Sequence, residues 1–362
     1  MQTRIYSIIT GTGSYIPSRI IKNEHFLKNE FYDSKGNRIE QPNEEIISKF
    51  EAITEIQERR YTKDDQTSSD IGSIAAERAI ESAGIDKESL DYIIVGHNLG
   101  DVDKETCEID IMPSLASRVK EKLGILNPKT IAYDIIFGCP GWLQGVIQAD
   151  YYIRSGDAKR VLVIGSETLS KKCDPHDRDS MIYADGAGAT IFEGIKSDTP
   201  VGILSHLTRT DSYGQAYNLW FGKSFNPDID DSKLYLKMNG RKLYNYALTT
   251  VPTVVKECLE KAGLSLNDVN KVLIHQANAK MDDAILGRIF GLYDRKDVPE
   301  NLMPMTISKL GNSSTATVPT LLDYILKGKM PEHQLNKGDV AVFASVGAGM
   351  NINCFIYRFP KK

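Results

Sequence analysis

The sequence predicts an α/β protein assembled from two copies of one unit, each a mainly parallel sheet flanked by helices. Three observations carry that expectation. The chain aligns with itself at a constant offset, short β-rich runs alternate with amphipathic segments of helix length, and 362 residues exceed what one hydrophobic core usually holds. With 41% hydrophobic and 25% charged residues, the composition is that of an ordinary globular chain.

The repeat is legible element by element. Residues 79–95, AIESAGIDKESLDYIIV, read as an amphipathic helix ending at Ala83-Gly84, a short loop and a buried strand. Residues 258–274, CLEKAGLSLNDVNKVLI, read the same way, and Glu81, Ala83 and Gly84 fall on Glu260, Ala262 and Gly263, 179 residues further on. IAYDIIFGCPGWLQGVIQADYYIRSG (131–156) reads as a strand, a glycine-containing corner and a helix, and MPMTISKLGNSSTATVPTLLDYILKG (303–328) has the same plan. The strand RVLVIGS (160–166) then falls on DVAVFAS (339–345) at the first offset. We draw the halves at 1–196 and 197–362, related by a pseudo-two-fold axis. In sheets of this type ligands bind beyond the carboxyl ends of the strands.

Cys139, His275 and Asn312 all stand at such ends. Cys139 follows Ile135-Ile136-Phe137-Gly138 and precedes Pro140-Gly141, at the start of a helix whose free N–H groups favour a thiolate. Taken alone it is equally compatible with a small buried apolar residue. His275 closes the strand Lys271–Ile274, where the other half has only Gly96-His97-Asn98-Leu99. Singly, a histidine there is more often a polar strand terminator, and Asn312, in Gly311-Asn312-Ser313-Ser314, an N-cap. The duplication changes this weighting, because it sets a thiol, an imidazole and a carboxamide at equivalent positions facing one interface.

Phe137-Gly138-Cys139, His275-Gln276-Ala277-Asn278, the run Gly311 to Pro319, and Asp174-Pro175-His176-Asp177-Arg178 followed by Ala184-Asp185-Gly186-Ala187-Gly188-Ala189 together resemble the motif set of the 3-oxoacyl-[acyl-carrier-protein] synthase III branch of the thiolase superfamily. The resemblance covers nearly the whole chain. It implies a thiolase-like fold of α-β-α-β-α layers with mainly parallel mixed sheets. The implied reaction is a decarboxylating condensation of an acyl-CoA or acyl-carrier thioester with malonyl-carrier protein through an acyl-Cys139 intermediate. His275 and Asn312 would then hold the enolate oxygen, and the backbone N–H groups of Cys139 and Ala348 the second oxyanion. The family also implies Arg178 near the CoA nucleotide, Asn278 and Lys280 along the pantetheine arm, and Met112 at the acyl pocket of the partner subunit in a homodimer. No cofactor beyond the CoA or phosphopantetheine thioesters and no metal are expected.

Departures from the family pattern point to a specialised member. The entrance segment Asn43–Phe50 has no tryptophan, 97–114 is unusually polar, and flexible Met112 stands where a bulky aromatic is common. A β-ketoacyl or medium-chain primer, as in resorcinol, pigment or polyene lipid synthesis, is the corresponding expectation. Competing readings are a thiolase, for which 345–350 lacks a second cysteine, and a non-decarboxylating synthase, which needs a base such as Glu105, Glu108 or Asp110. A non-catalytic partner subunit is the third, although such chains generally lose the nucleophile.

A net charge of −4 argues against nucleic acid. No signal peptide and no apolar run of spanning length are read. Five scattered cysteines fit reduced thiols in the cytoplasm. Gly11-Thr12-Gly13 lacks the third glycine of a dinucleotide loop, and 185–188 lacks the Lys-Ser/Thr of a phosphate loop.

Overall fold

The computed structural model describes residues 4–229 and 232–360. The first half contributes a five-stranded sheet in the order β1-β9-β8-β4-β7: β1 Arg4–Tyr15, β4 Tyr92–His97, β7 Ile131–Ile136, β8 Arg160–Thr168 and β9 Asp185–Ser197. The second contributes four strands in the order β10-β15-β14-β13: β10 Gly202–Thr210, β13 Lys271–Ile274, β14 Val340–Gly347 and β15 Asn351–Arg358. Three two-stranded ribbons lie outside these sheets: β2 Arg19–Lys22 with β3 Glu58–Tyr61, β5 Asp101–Val102 with β6 Ile109–Asp110, and β11 Leu219–Gly222 with β12 Tyr235–Met238.

Helices fill the space between and outside the sheets. Helices α2 (Ser68–Ala83) and α3 (Leu115–Lys122) cover the outer face of the first sheet, and α5 (Gly240–Lys261) with α6 (Ala279–Gly291) covers the second. Between the sheets lie α4 (Gly141–Ser155) and α8 (Thr317–Leu326). The result is the five-layer α-β-α-β-α arrangement. Its central core joins Trp142, Leu143 and Val146 of α4 to Leu321 and Leu322 of α8 and to Phe343 and Phe355 of the second sheet. Asp323 of α8 pins the halves by accepting hydrogen bonds from Thr12 and Ser14 of β1 at 2.8 and 2.6 Å. Two further helices are α1 (Asn43–Thr54), which contacts α6, and the four-residue α7 (Ile307–Leu310), which packs on β3. No helix among the described residues is long and apolar enough to cross a membrane.

The repeated helix–loop–strand units correspond in space. Helix α2 ends on Gly84 with φ +63°, while α5 ends at Ala262 followed by Gly263 with φ +68°. Strands β4 and β13 then run parallel to β8 and β14, although β4 is flanked on its other side by β7 whereas β13 ends its sheet.

Two expectations need correction. Both sheets are mixed, but parallel pairing is confined to β7-β4-β8 and to β13-β14, because β9 and β15 fold back antiparallel on β8 and β14. The strand expected at the start of 303–328 is absent. Pro304 has no N–H to give a ladder. Instead the buried Gln276 amide binds that segment, donating to the Pro304 carbonyl at 2.9 Å and accepting from the Thr306 N–H at 2.8 Å, and the chain turns into α7.

Candidate active site

Cys139 sits in the corner between β7 and α4, with Pro140 as the helix N-cap. Gly138 has φ +70°, and a Cβ there would meet the Ala348 nitrogen at 2.6 Å. A side chain at Gly347 would in turn collide with the Cys139 N–H. The corner and the loop after β14 can approach this closely only because both positions are glycine. Their contact sets the Ala348 nitrogen against Gly138 and the Cys139 nitrogen against Gly347.

The three strand-end residues gather around Ser314. Asn312 Oδ1 accepts the Ser314 N–H at 2.8 Å, which leaves the Asn312 NH2 group free to donate elsewhere. Its role is therefore a local side-chain turn rather than a helix cap. The His275 backbone N–H bonds to the Ala344 carbonyl at 2.9 Å, which continues the β13–β14 pairing to the residue that carries the ring. Burial lowers the imidazole's pKa to about 4, against a smaller opposite effect of the Ser314 backbone. His275 is a neutral imidazole near pH 7. Ser314, with φ +53°, is a non-glycine residue in the left-handed region, a strain that persists only where surrounding contacts hold it.

Cys139 and Ser314 share a cavity of about 340 Å³ whose wall is mostly apolar, including Leu99, Leu169, Leu219 and Phe221. Here the expected preference for thiolate is corrected. Burial pushes the Cys139 thiol up to about 11, and the Ser314 hydroxyl beside the sulfur acts against that rise. Desolvation of a charge outweighs the partial positive end of a helix.

Sequence reasoning missed what lies behind Ser314. Asn98, dismissed as an empty counterpart of the His275 loop, donates from Nδ2 to Ser314 Oγ at 2.9 Å and also bonds Glu167 Oε1 through Nδ2. Its backbone N–H reaches the same oxygen at 2.8 Å. Glu167 is fully buried, and desolvation pushes its carboxyl up to about 8. The one available signal was a carboxylate inside the apolar strand RVLVIGSET. Glu105 and Glu108, by contrast, are exposed, and Asp110 is paired with Arg118 at 2.7 Å.

A second cavity of about 540 Å³ adjoins the first. Ile182 and Met238 line it, while their neighbours Tyr183 and Leu236 line the Cys139 cavity. Arg178, Asn278, Lys49, Phe50 and Arg241 also face it. Lys280 is exposed on the first turn of α6 and lines neither cavity. Met112 is 85% exposed and likewise outside both.

Comparison with known proteins agrees with this architecture. The family model for 3-oxoacyl-[acyl-carrier-protein] synthase III matches residues 133–212, and its C-terminal counterpart matches 259–359. A Vibrio vulnificus protein named beta-ketoacyl-[acyl-carrier-protein] synthase III 1 is 33% identical over 98% of this chain and all of its own length. The crystal structure of 3-oxoacyl-[acyl-carrier-protein] synthase III from Aquifex aeolicus superposes with a TM-score of 0.78 at 28% identity, covering 98% of this chain and 100% of that one. The priming beta-ketosynthase of the R1128 polyketide biosynthetic pathway superposes with a TM-score of 0.80 at 26% identity, over 99% and 97%. With both halves of the family model matched and a relative aligned end to end, the chain belongs to the 3-oxoacyl-[acyl-carrier-protein] synthase III family.

Proposed function

We propose that this enzyme joins an acyl thioester to malonyl-[acyl-carrier protein] by decarboxylating condensation, priming a fatty acid or polyketide chain. The observation that carries the reading is that Asn312 and His275 both meet the backbone of Ser314, the residue that lines the apolar cavity together with Cys139. In the first step the Cys139 sulfur displaces the thiol of an acyl-CoA or acyl carrier, giving acyl-Cys139 and a free thiol. The malonyl thioester then loses carbon dioxide, and its electrons become a thioester enolate. A ring N–H of neutral His275 and the Asn312 NH2 group donate to the enolate oxygen. The enolate carbon attacks the acyl carbonyl, whose oxyanion is held by the N–H groups of Cys139 and Ala348. Collapse releases the 3-oxoacyl thioester and restores Cys139. The substrates are themselves the thioesters, so the reaction draws on no further cofactor.

Arg178, Asn278 and Lys280 are assigned to the entry path of the pantetheine arm, the first two because they line the larger cavity. Helix α1 supplies Ile46, Lys49 and Phe50 to that wall in place of a tryptophan, which supports a primer other than a short acyl-CoA. The halves are taken as 1–196 and 197–362, a junction at the last residue of β9 and ahead of β10, which begins at Gly202. A homodimer is supported by the edge strand β7, where Ile131 is 48% and Ile136 64% exposed. Ile136 also borders the Cys139 cavity, so a second copy on this edge would close it and bring its own Met112 near. We assign the reaction to the cytoplasm, where its carrier-bound substrates would be made.

The test is to incubate the protein with a panel of acyl-CoA and acyl-carrier donors, weigh the Cys139 peptide, and follow carbon dioxide release from malonyl carrier. Covalent loading of Cys139 followed by stoichiometric release supports the reading. No adduct with any donor overturns it, and exclusive loading by acetyl-CoA overturns the specialised primer.

A further inference from the structure

Glu167 is a carboxylic acid buried beside the nucleophile that the reaction leaves unused. It is fully buried, and its Oε1 is held by Asn98, so it serves as a support behind the site and is no replacement for the base sought at 105–110. Its Oε1 accepts two hydrogen bonds from Asn98, one from the backbone N–H at 2.8 Å and one from Nδ2. Oε2 makes none among the described residues, although the Thr315 hydroxyl lies near enough to lower the carboxyl's pKa.

The direction of the bonds matters. An amide nitrogen only donates, so one Asn98 N–H goes to Glu167 and the other, at 2.9 Å, to Ser314 Oγ. Glu167 thereby fixes which end of the Asn98 amide faces Ser314. A hydroxyl that accepts at its oxygen has its own hydrogen left to give. The Ser314 backbone is already committed, its N–H to Asn312 Oδ1 at 2.8 Å, so the residue cannot swing away. The acceptor beside that hydroxyl, in the shared cavity, is the sulfur of Cys139.

We infer that Glu167, Asn98 and Ser314 form a one-way hydrogen-bond chain that presents the Ser314 O–H to the Cys139 sulfur and stabilises its thiolate. Glu167 and Asn98 are positioning residues, and Ser314 is the group that touches the reacting atom. No proton passes along the chain, since an amide cannot relay one. The inference rests on Cys139 being the nucleophile. It adds a reason why a desolvated thiol still reacts: the hydroxyl replaces part of the solvation that burial removed.

The experiment measures alkylation of Cys139 by iodoacetamide against pH, read on the Cys139 peptide so that Cys107 and Cys173 do not interfere. The titratable groups around the sulfur are Glu167, with Asp185 behind it, Tyr183, and His275, whose ring stays neutral above about pH 4. Ser314→Ala and Asn98→Ala are each expected to move the alkylation midpoint up by about one pH unit and slow the reaction at pH 7 by about tenfold, the worth of one hydrogen bond to a charged group. Glu167→Leu should do the same, and Glu167→Gln, which keeps an acceptor oxygen, should recover most of the loss. A merely structural role would lower the melting temperature without moving the midpoint. Midpoints unmoved in folded Ser314→Ala and Asn98→Ala overturn the inference. Because alkylation needs neither donor nor malonyl carrier, that outcome is distinct from failure of the wild-type enzyme to load an acyl group.

Discussion

At the scale of single residues, burial is the largest influence on the protonation of Cys139, Glu167 and His275. His275 is held near 4 against an ordinary 6.5, so it remains a neutral donor through the physiological range, as a group stabilising an enolate should. The same shift has a consequence for stability. The unfolded ring takes up a proton below about pH 6.5 while the folded ring does not, so protons favour the unfolded chain between 6.5 and 4. This stability is fully present above pH 6.5 and is lost as pH falls toward 4, roughly 3 kcal/mol in all. Urea unfolding at pH 7 and pH 5 should show a steeper loss for the wild type than for His275→Gln. Equal pH sensitivity in the two proteins would remove the argument.

At the scale of elements, the site depends on how closely backbones approach. Strand β4 touches the first turn of α4 through Gly96, where an added Cβ would lie 2.5 Å from the Gly141 carbonyl carbon and 2.7 Å from the Trp142 nitrogen. These are backbone atoms, so relief requires moving the helix that begins after Cys139. Gly96→Ala is expected to destabilise the fold by about 1–3 kcal/mol and to slow acylation of Cys139 by tenfold or more, since displacements near 1 Å are enough for such losses. Acylation at the wild-type rate would show that the corner adjusts freely. The absence of a strand at 303–306 belongs to this scale too. Helical and extended plans for that segment are not separable from its residues, and what decided it was the side-chain amide of Gln276, 28 positions from Pro304 in sequence.

At the scale of the whole molecule, the edge strand β7 carries exposed Ile131 and Ile136 beside an open ladder, a combination that invites pairing with another chain. Ile131→Asp should shift the protein from dimer to monomer in light scattering and, with the Cys139 cavity left open at that edge, reduce condensation. A wild-type protein that is monomeric at assay concentration would refute the assignment. The sequence by itself determined the duplication, the pairing of α2–β4 with α5–β13, and the candidacy of Cys139, His275 and Asn312. These follow from local periodicity and from residues at strand ends, which repeat along the chain. Only the tertiary structure decided that Asn98 and Glu167 stand behind Ser314, that the thiol is raised rather than lowered, and that parallel pairing stops at β8 and β14. Hydrogen-bond partners 69 and 216 residues apart leave no periodic trace, and desolvation is a property of everything surrounding a group rather than of its neighbours in sequence.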